Sequence, residues 1–322
     1  KQTYEARIAA LETRLQSAEA NAAASAPTPT TADTAGATTP PVEAAPVPTG
    51  GFNPDLSLIL NGRYTRLDTI APRPVTGYLS NGPLAEPTRG FSLDESELVL
   101  MASVDPDFRG ALYLILGDGE VAVEEAWFQT TSLGNGLTVK GGRFRSGLGY
   151  QNEQHPHAWD FASNNLMYET LFGEGYGNDG IQLKWVAPTE LFVEFGAEIG
   201  RGAAFPGTDR NANGVGGWSL YGHLGGDVGD SASWRAGLGY LSTRSQERES
   251  GLFDLADAPA QALFSGDSAT WLADLVWKRA PDGNPRARDF KFQAEYFQRD
   301  EDGELTYDPS GINTTDVYRG KQ

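Results

Sequence analysis

Eleven segments between residues 54 and 299 alternate apolar and polar side chains with a period of two, and none carries the 3.6-residue period of an amphipathic helix. Leu56, Leu58, Leu60 and Tyr64 alternate with Ser57, Asn61, Arg63 and Thr65, and Leu191, Val193, Phe195, Ala197 and Ile199 with Glu194, Gly196, Glu198 and Gly200. The pattern places strands at 54–67, 91–105, 108–117, 119–131, 136–146, 180–187, 190–200, 217–225, 232–242, 269–279 and 289–299. The chain therefore reads as all-β. Its most apolar run, Leu98 to Val104, falls far short of the ~20 residues of a membrane-spanning helix, which excludes a helical transporter.

The connections sort the strands further. Turns at 105–107, 132–135, 187–189, 226–231 and 280–288 alternate with extended connections at 68–90, 147–179, 201–216, 243–268 and from 300 onward. The tight Gly117-Asp118-Gly119 turn is the exception. Segregation of loops by length is the grammar of an antiparallel transmembrane barrel with short periplasmic turns and long outer loops. A soluble sandwich would show the same alternation, because alternation alone does not separate lipid from core. Face chemistry favours lipid. Trp271, Ala273, Leu275 and Trp277 share one face, as do Trp234, Ala236, Leu238 and Tyr240. The aromatic ends stand about 20 Å apart along each strand, the spacing two interfacial girdles need. The opposite faces carry Asp274, Lys278, Arg235 and the small Gly237 and Gly239, suited to a wet lumen. Adjacent Glu124 and Glu125 break the alternation, so a β-bulge or a position near the rim is expected there. An odd count of eleven strands predicts a barrel that continues beyond Gln322, its C-terminal strands missing.

Ahead of the body, Tyr4, Ile8, Leu11, Leu15, Ala18 and Ala22 repeat in steps of four and three, a coiled-coil seam ended by Pro27. Arg7 and Arg14 at g face Glu12 and Glu19 at e across a parallel interface, which predicts self-association. An amphipathic helix lying on its own domain is the other reading. Residues 26–51, almost wholly Ala, Pro, Thr and Gly, read as a linker. The expected organisation is a periplasmic coiled-coil helix at 1–25, that linker, and an outer-membrane barrel at 52–322.

The 43 acidic against 25 basic residues give a net charge of −18, which argues against a nucleic-acid partner. The absence of Cys removes disulfides, thiolate metal sites and Cys nucleophiles. No Ser-His-Asp order, HExxH or phosphate-cradling loop is present, so neither an enzyme nor a bound cofactor is expected.

The run from Gly119 to Glu153, with Glu125-Ala126-Trp127 and Gly142-Arg143-Phe144, resembles the phosphate-selective porin family and its wider relatives among trimeric outer-membrane porins. The resemblance implies a barrel of about 16 strands when complete, a homotrimer through the N-terminal helices and barrel walls, and an inward third outer loop. Some relatives carry the label of a zinc-regulated TonB-dependent outer membrane receptor, although only the helix and linker precede the barrel where such a receptor has a plug. Phosphate selection requires Lys or Arg at the constriction, whereas the expected lumen positions here include many carboxylates.

The expected pore lining is Glu95, Glu97, Glu194, Glu198, Asp274 and Glu295, opposed by Lys140, Arg143, Arg145, Lys184 and Arg235, and it predicts cation preference. The 147–179 connection, with Tyr150, Trp159, Asp160, Phe161, Tyr168, Glu169, Phe172 and Glu174, is expected to be the constriction loop, and a lid or inter-subunit latch is the alternative. Within it His155, His157 and Asp160 are candidate Zn²⁺ or Cu²⁺ ligands, weakened by the Pro156 that separates the two imidazoles. The reading is an outer-membrane porin passing small hydrophilic solutes or cations by diffusion. Alternatives are a gated, metal-linked receptor or a structural tether between outer membrane and periplasm.

Overall fold

The computed structural model describes residues 54–69, 75–82, 84, 88–117, 119–253, 259–284, 286–308 and 314–322. The helix expected at 1–25 and the linker at 26–51 lie outside the described residues. In chain order the strands are β1 (Asp55–Ile59), β2 (Gly62–Thr65), β3 (Gly90–Leu93), β4 (Ser96–Ser103), β5 (Phe108–Gly117), β6 (Glu120–Thr130), β7 (Leu137–Arg145), β8 (Gly177–Val186), β9 (Phe192–Gly200), β10 (Gly217–Val228), β11 (Ala232–Phe253), β12 (Pro259–Arg279), β13 (Phe290–Asp308) and β14 (Thr314–Lys321). Twelve form one antiparallel sheet in the order β1-β4-β5-β6-β7-β8-β9-β10-β11-β12-β13-β14, and β2 pairs with β3 beside it. The first and second expected strands are thus each interrupted, at 60–61 and 94–95.

The two faces of the sheet are inverted relative to a water-soluble protein. On one, Phe195, Leu220, Leu224 and Leu238 lie 49–57% exposed. On the other, Glu97, Glu198 and His223 are 1–2% exposed. Register aligns the exposed aromatics in two rows. Trp218, Tyr240 and Trp271 follow one another across β10–β12 with ring centroids 5.2 and 4.7 Å apart. Trp234 pairs with Trp277, whose ring lies 5.6 Å from Phe290, in the second row. Leu238 and Leu275 stand between the rows.

The polar face is concave. Nine inter-strand steps separate β4 from β13, about 43 Å if the sheet were flat. Yet one loop reaches both: the Gln151 amide donates to Glu295 of β13, and His155 meets Glu97 of β4. The backbone between residues 151 and 155 spans at most about 14 Å, so the sheet curls around the loop with its polar side inward. Arg299 of β13 donates to the Leu79 carbonyl, in the segment joining β2 to β3, which links the two edge regions directly.

The bulge at the paired glutamates is present. Tyr113 pairs with Glu125 but Leu114 pairs with Val123, leaving Glu124 as the extra residue, so both carboxylates reach the inward side. Two expectations are corrected. The described residues of the connections placed at 243–268 and from 300 onward are mostly strand: β11, β12 and β13 run 22, 21 and 19 residues, and β14, unmarked in the sequence reading, pairs with the C-terminal part of β13. Polar residues on both faces of 243–250 conceal that strand, which is held by its ladder to β12 through a register shift at Ser245/Arg248. A short helix α1 (Leu166–Phe172) also interrupts the 147–179 connection, capped by the Asn165 side chain and by Gly173 at φ 60°.

Candidate functional site

The 146–176 loop occupies the concave polar face, and the strands are shaped to receive it. Glu198 is its principal anchor. Its two carboxylate oxygens accept from Ser146 Oγ at 2.6 Å, the Gly147 amide at 3.0 Å, Gln182 Nε2 at 2.8 Å and Ser219 Oγ at 2.7 Å. Four donors thus converge on one buried carboxylate and satisfy both of its oxygens. Small residues provide sockets. A Cβ added at Gly196 would lie 2.0 Å from the Tyr221 ring, one at Gly147 2.4 Å from it, and one at Gly239 2.3 Å from Leu148. Gly237 likewise leaves room for the Asp274 carboxylate. Gly237 and Gly239, expected to face a wet lumen, instead seat side chains. Gly196→Ala is therefore predicted to expel Tyr221 and loosen the loop, costing about 1–3 kcal/mol by overpacking. Protease sensitivity between residues 147 and 176 measures it, and a loop as resistant as the wild type would refute the socket.

The apolar half of the loop packs through Leu148, Tyr168, Leu171, Phe172 and Tyr176 against Tyr221, Leu241 and Leu272. Tyr168 also meets Phe297 edge-on at 5.2 Å. Residues i, i+3 and i+4 of the sequence Tyr168-Glu169-Thr170-Leu171-Phe172 form the buried stripe of α1, a signal that the strand-dominated pattern obscured. Phe161 is exposed and anchors nothing, and Glu174 is exposed at φ 99°. Glu169 lies in the first turn of α1. Trp159 donates from its ring to the Gln154 carbonyl at 3.1 Å.

Two charged groups flank this anchor. Around Tyr150 gather Lys291, Lys278 and Arg235, at 4.9, 5.3 and 5.6 Å from the ring centroid. Arg235 pairs with Glu153 at 2.6 Å and donates to His223 Nε2 at 2.9 Å, while His223 Nδ1 faces Glu194, itself paired with Lys184 at 2.9 Å. Asp274 and Glu295 stand opposite one another on β12 and β13. Lys140 lies 4.6 Å from the Trp127 ring. The second group is acidic. Glu97, Glu124 and Glu125 surround His155 at 2.9 Å each, its ring stacked on Tyr113, with Arg145 on Glu124 and Glu95 immediately before β4.

Of the expected lining residues, Glu97, Lys140, Lys184, Glu194, Glu198, Arg235, Asp274 and Glu295 share the inward face by register. Arg145 reaches it from the end of β7. Arg143 does not: three residues from Lys140, it falls on the outward side and pairs there with Asp179 at 2.7 Å. Several inward carboxylates lie beneath the loop, with Glu97, Glu194, Glu198 and Asp274 buried. Asp160 is also displaced from its expected partners. It pairs with Lys291, away from His155 and His157, whose rings a 3₁₀ turn at Pro156–Ala158 brings to 5.7 Å.

Burial lowers the proton affinity of His155, but its hydrogen bonds to Glu124 and Glu125 outweigh burial and raise the imidazole from 6.5 to about 10. A raised value means that the charged ring stabilises the docked loop fully below pH 6.5, progressively less above it, and not at all beyond about 10. In metal-free protein, loop protection is predicted to fall between those limits and His155→Gln to flatten the profile. A profile identical in the two proteins would contradict it.

No family model matches the chain. A protein of Aquifex aeolicus (strain VF5), described as an uncharacterized protein, is 30% identical over 301 residues, covering 86% of this chain. The chain spans 62% of that relative's length. Among solved structures, a substituted Rh. blastica porin is 13% identical, with a TM-score of 0.27 over 83% of this chain and 100% of the porin.

Proposed function

We propose that the chain forms the wall and inward loop of an outer-membrane β-barrel channel for small hydrophilic solutes or ions, with the 146–176 loop as its constriction. The observation that carries this reading is the inverted burial: an apolar outer band between two aromatic rows, and buried charge within. An apolar surface of that extent in water would associate or aggregate, whereas in lipid it is the favoured exterior. Curling supports the same reading, since it turns the sheet toward the closed form that hydrocarbon requires, although β1 and β14 remain edges among the described residues.

Carboxylates beneath the docked loop favour a gated or narrow passage over a wide one. The inward charges are segregated, acidic beside β4 and β6 and basic around Tyr150, so a solute crosses a transverse field. With a chain charge of −18 the expected bias is toward cations. In the whole protein, the N-terminal residues are assigned to the periplasm and to a parallel homotrimer. Planar-bilayer recording of the full-length protein under a KCl gradient tests the reading. Small unitary steps with a cation-biased reversal potential are expected; a folded, lipid-inserted protein that remains silent in both wild type and the loop-released Glu198→Ala variant would overturn it.

A further inference from the structure

The acidic group around His155 has the composition and geometry of a cation site. Glu97 Oε2 and Glu124 Oε2 each lie 2.9 Å from His155 Nδ1, and His157 Nδ1 lies 3.7 Å from the same Glu97 oxygen. Tetrahedral coordination at 2.0–2.2 Å places neighbouring donor atoms about 3.3–3.6 Å apart, so Glu97, Glu124 and His155, whose ligand atoms lie within 4.8 Å of one another, need only small adjustments, and His157 joins them from beside Glu97. The other nitrogen of His155 is held by Glu125, with Nε2 2.9 Å from Oε1. A carboxylate that fixes Nε2–H leaves the Nδ1 lone pair for a metal, the arrangement by which metal-binding histidines are oriented.

A second observation is independent of that convergence. Glu97 is 1% exposed, yet its Oε2 faces imidazole nitrogens, His155 Nδ1 at 2.9 Å and His157 Nδ1 at 3.7 Å, and the buried His157 Nδ1 has no hydrogen-bond partner. These atoms meet where the loop crosses β4. A buried imidazole nitrogen left without a partner beside a buried carboxylate is costly, and a cation between them would satisfy both. The group around His223 differs, because Lys184 and Arg235 already occupy the cation positions beside Glu194, Glu153 and His223.

We propose that Glu97, Glu124, His155 and His157 bind one divalent transition-metal cation of the zinc type, tying the inward loop to β4 and β6. Two imidazole nitrogens and two carboxylate oxygens suit Zn²⁺, Co²⁺ or Ni²⁺ better than Ca²⁺ or Mg²⁺, which take oxygen ligands. The cation takes the place of the Nδ1 proton between the two carboxylates. The site is built from loop and sheet contacts alone and does not depend on the chain being a channel.

Metal-free full-length protein, folded in detergent, is titrated with Co²⁺ and followed by visible absorption, then displaced with Zn²⁺. One tetrahedral Co²⁺ per chain is expected, with His155→Ala and His157→Ala each weakening it by about tenfold or more and Asp160→Asn leaving it unchanged. Because Glu97→Gln can perturb folding, the decisive variant is His157→Ala, whose side chain is partly exposed. Absence of a saturable tetrahedral band in the wild type, or a band unaffected by both histidine variants, would overturn the assignment whether or not the protein conducts.

Discussion

Glu198→Ala is expected to detach the 146–176 loop from the sheet at a cost of about 3–5 kcal/mol and, under the proposed function, to enlarge the conductance. The carboxylate is the shared acceptor for donors of the loop, Ser146 and Gly147, and of the wall, Gln182 and Ser219. Removing it leaves those donors buried without a common acceptor, and the penalty falls on the docked state because water satisfies the loop donors once it swings free. Glu198→Gln keeps the shape but replaces one acceptor oxygen with a donor facing other donors, so it is expected to act in the same direction with a smaller effect. Faster cleavage within 147–176 and larger unitary steps in the Ala variant check this. Unchanged cleavage and conductance would show that the apolar cluster around Tyr168 holds the loop alone.

The second large effect is expected at Glu301. Its carboxylate lies 2.7 Å from Arg248 and 3.6 Å from Arg299, and both guanidinium groups are essentially buried. They stack near Phe205, at 4.9 and 5.2 Å, and donate to carbonyls of Pro206 at 2.9 Å and Leu79 at 2.8 Å. Arg299 also reaches the Leu171 carbonyl in α1 at 3.4 Å. One anion thus sits beneath two cations that together join β11, β13, α1 and two loops. Glu301→Gln leaves the cations facing each other with little compensation, which is expected to destabilise the protein by about 3–5 kcal/mol. Adding Arg248→Met to that variant is expected to recover part of the loss by removing one uncompensated charge. Chemical denaturation in detergent measures both. A single variant as stable as the wild type would mean that the charges are neutralised in another way.

What was legible from the residues follows from which physical signals are local. Alternation located the central strands within a few residues, and the Glu124-Glu125 repeat announced a bulge because two adjacent carboxylates cannot both face inward on a regular strand. The Trp234–Tyr240 and Trp271–Trp277 spacings became two rows because the β11–β12 register aligns Trp234 with Trp277 and Tyr240 with Trp271. The outer halves of β11–β14 were not legible. Their cohesion comes from pairing and from buried pairs such as Arg248 and Glu301, which alternation does not encode. The cluster around His155 was only half legible. His155 and His157 stand two residues apart in sequence, but Glu97 and Glu124 arrive from separate strands, and nearby Asp160 turns to Lys291 instead. Arg143 shows the reverse: parity alone separates it from Lys140, and grouping basic residues by charge overrode that rule.

The inverted placement of the two faces is the central claim, and the chain's lack of cysteine makes single-cysteine spin labelling a direct test of it. Labels at Leu220 and Leu238, on the outward face, and at Lys184 and Lys278, on the inward face, are compared in liposomes for collision with oxygen and with a water-soluble nickel chelate. The account predicts that the Leu220 and Leu238 labels collide with oxygen and are shielded from nickel, with the opposite preference at Lys184 and Lys278. Labels at Leu220 and Leu238 that collide freely with nickel in the membrane-bound protein would contradict it.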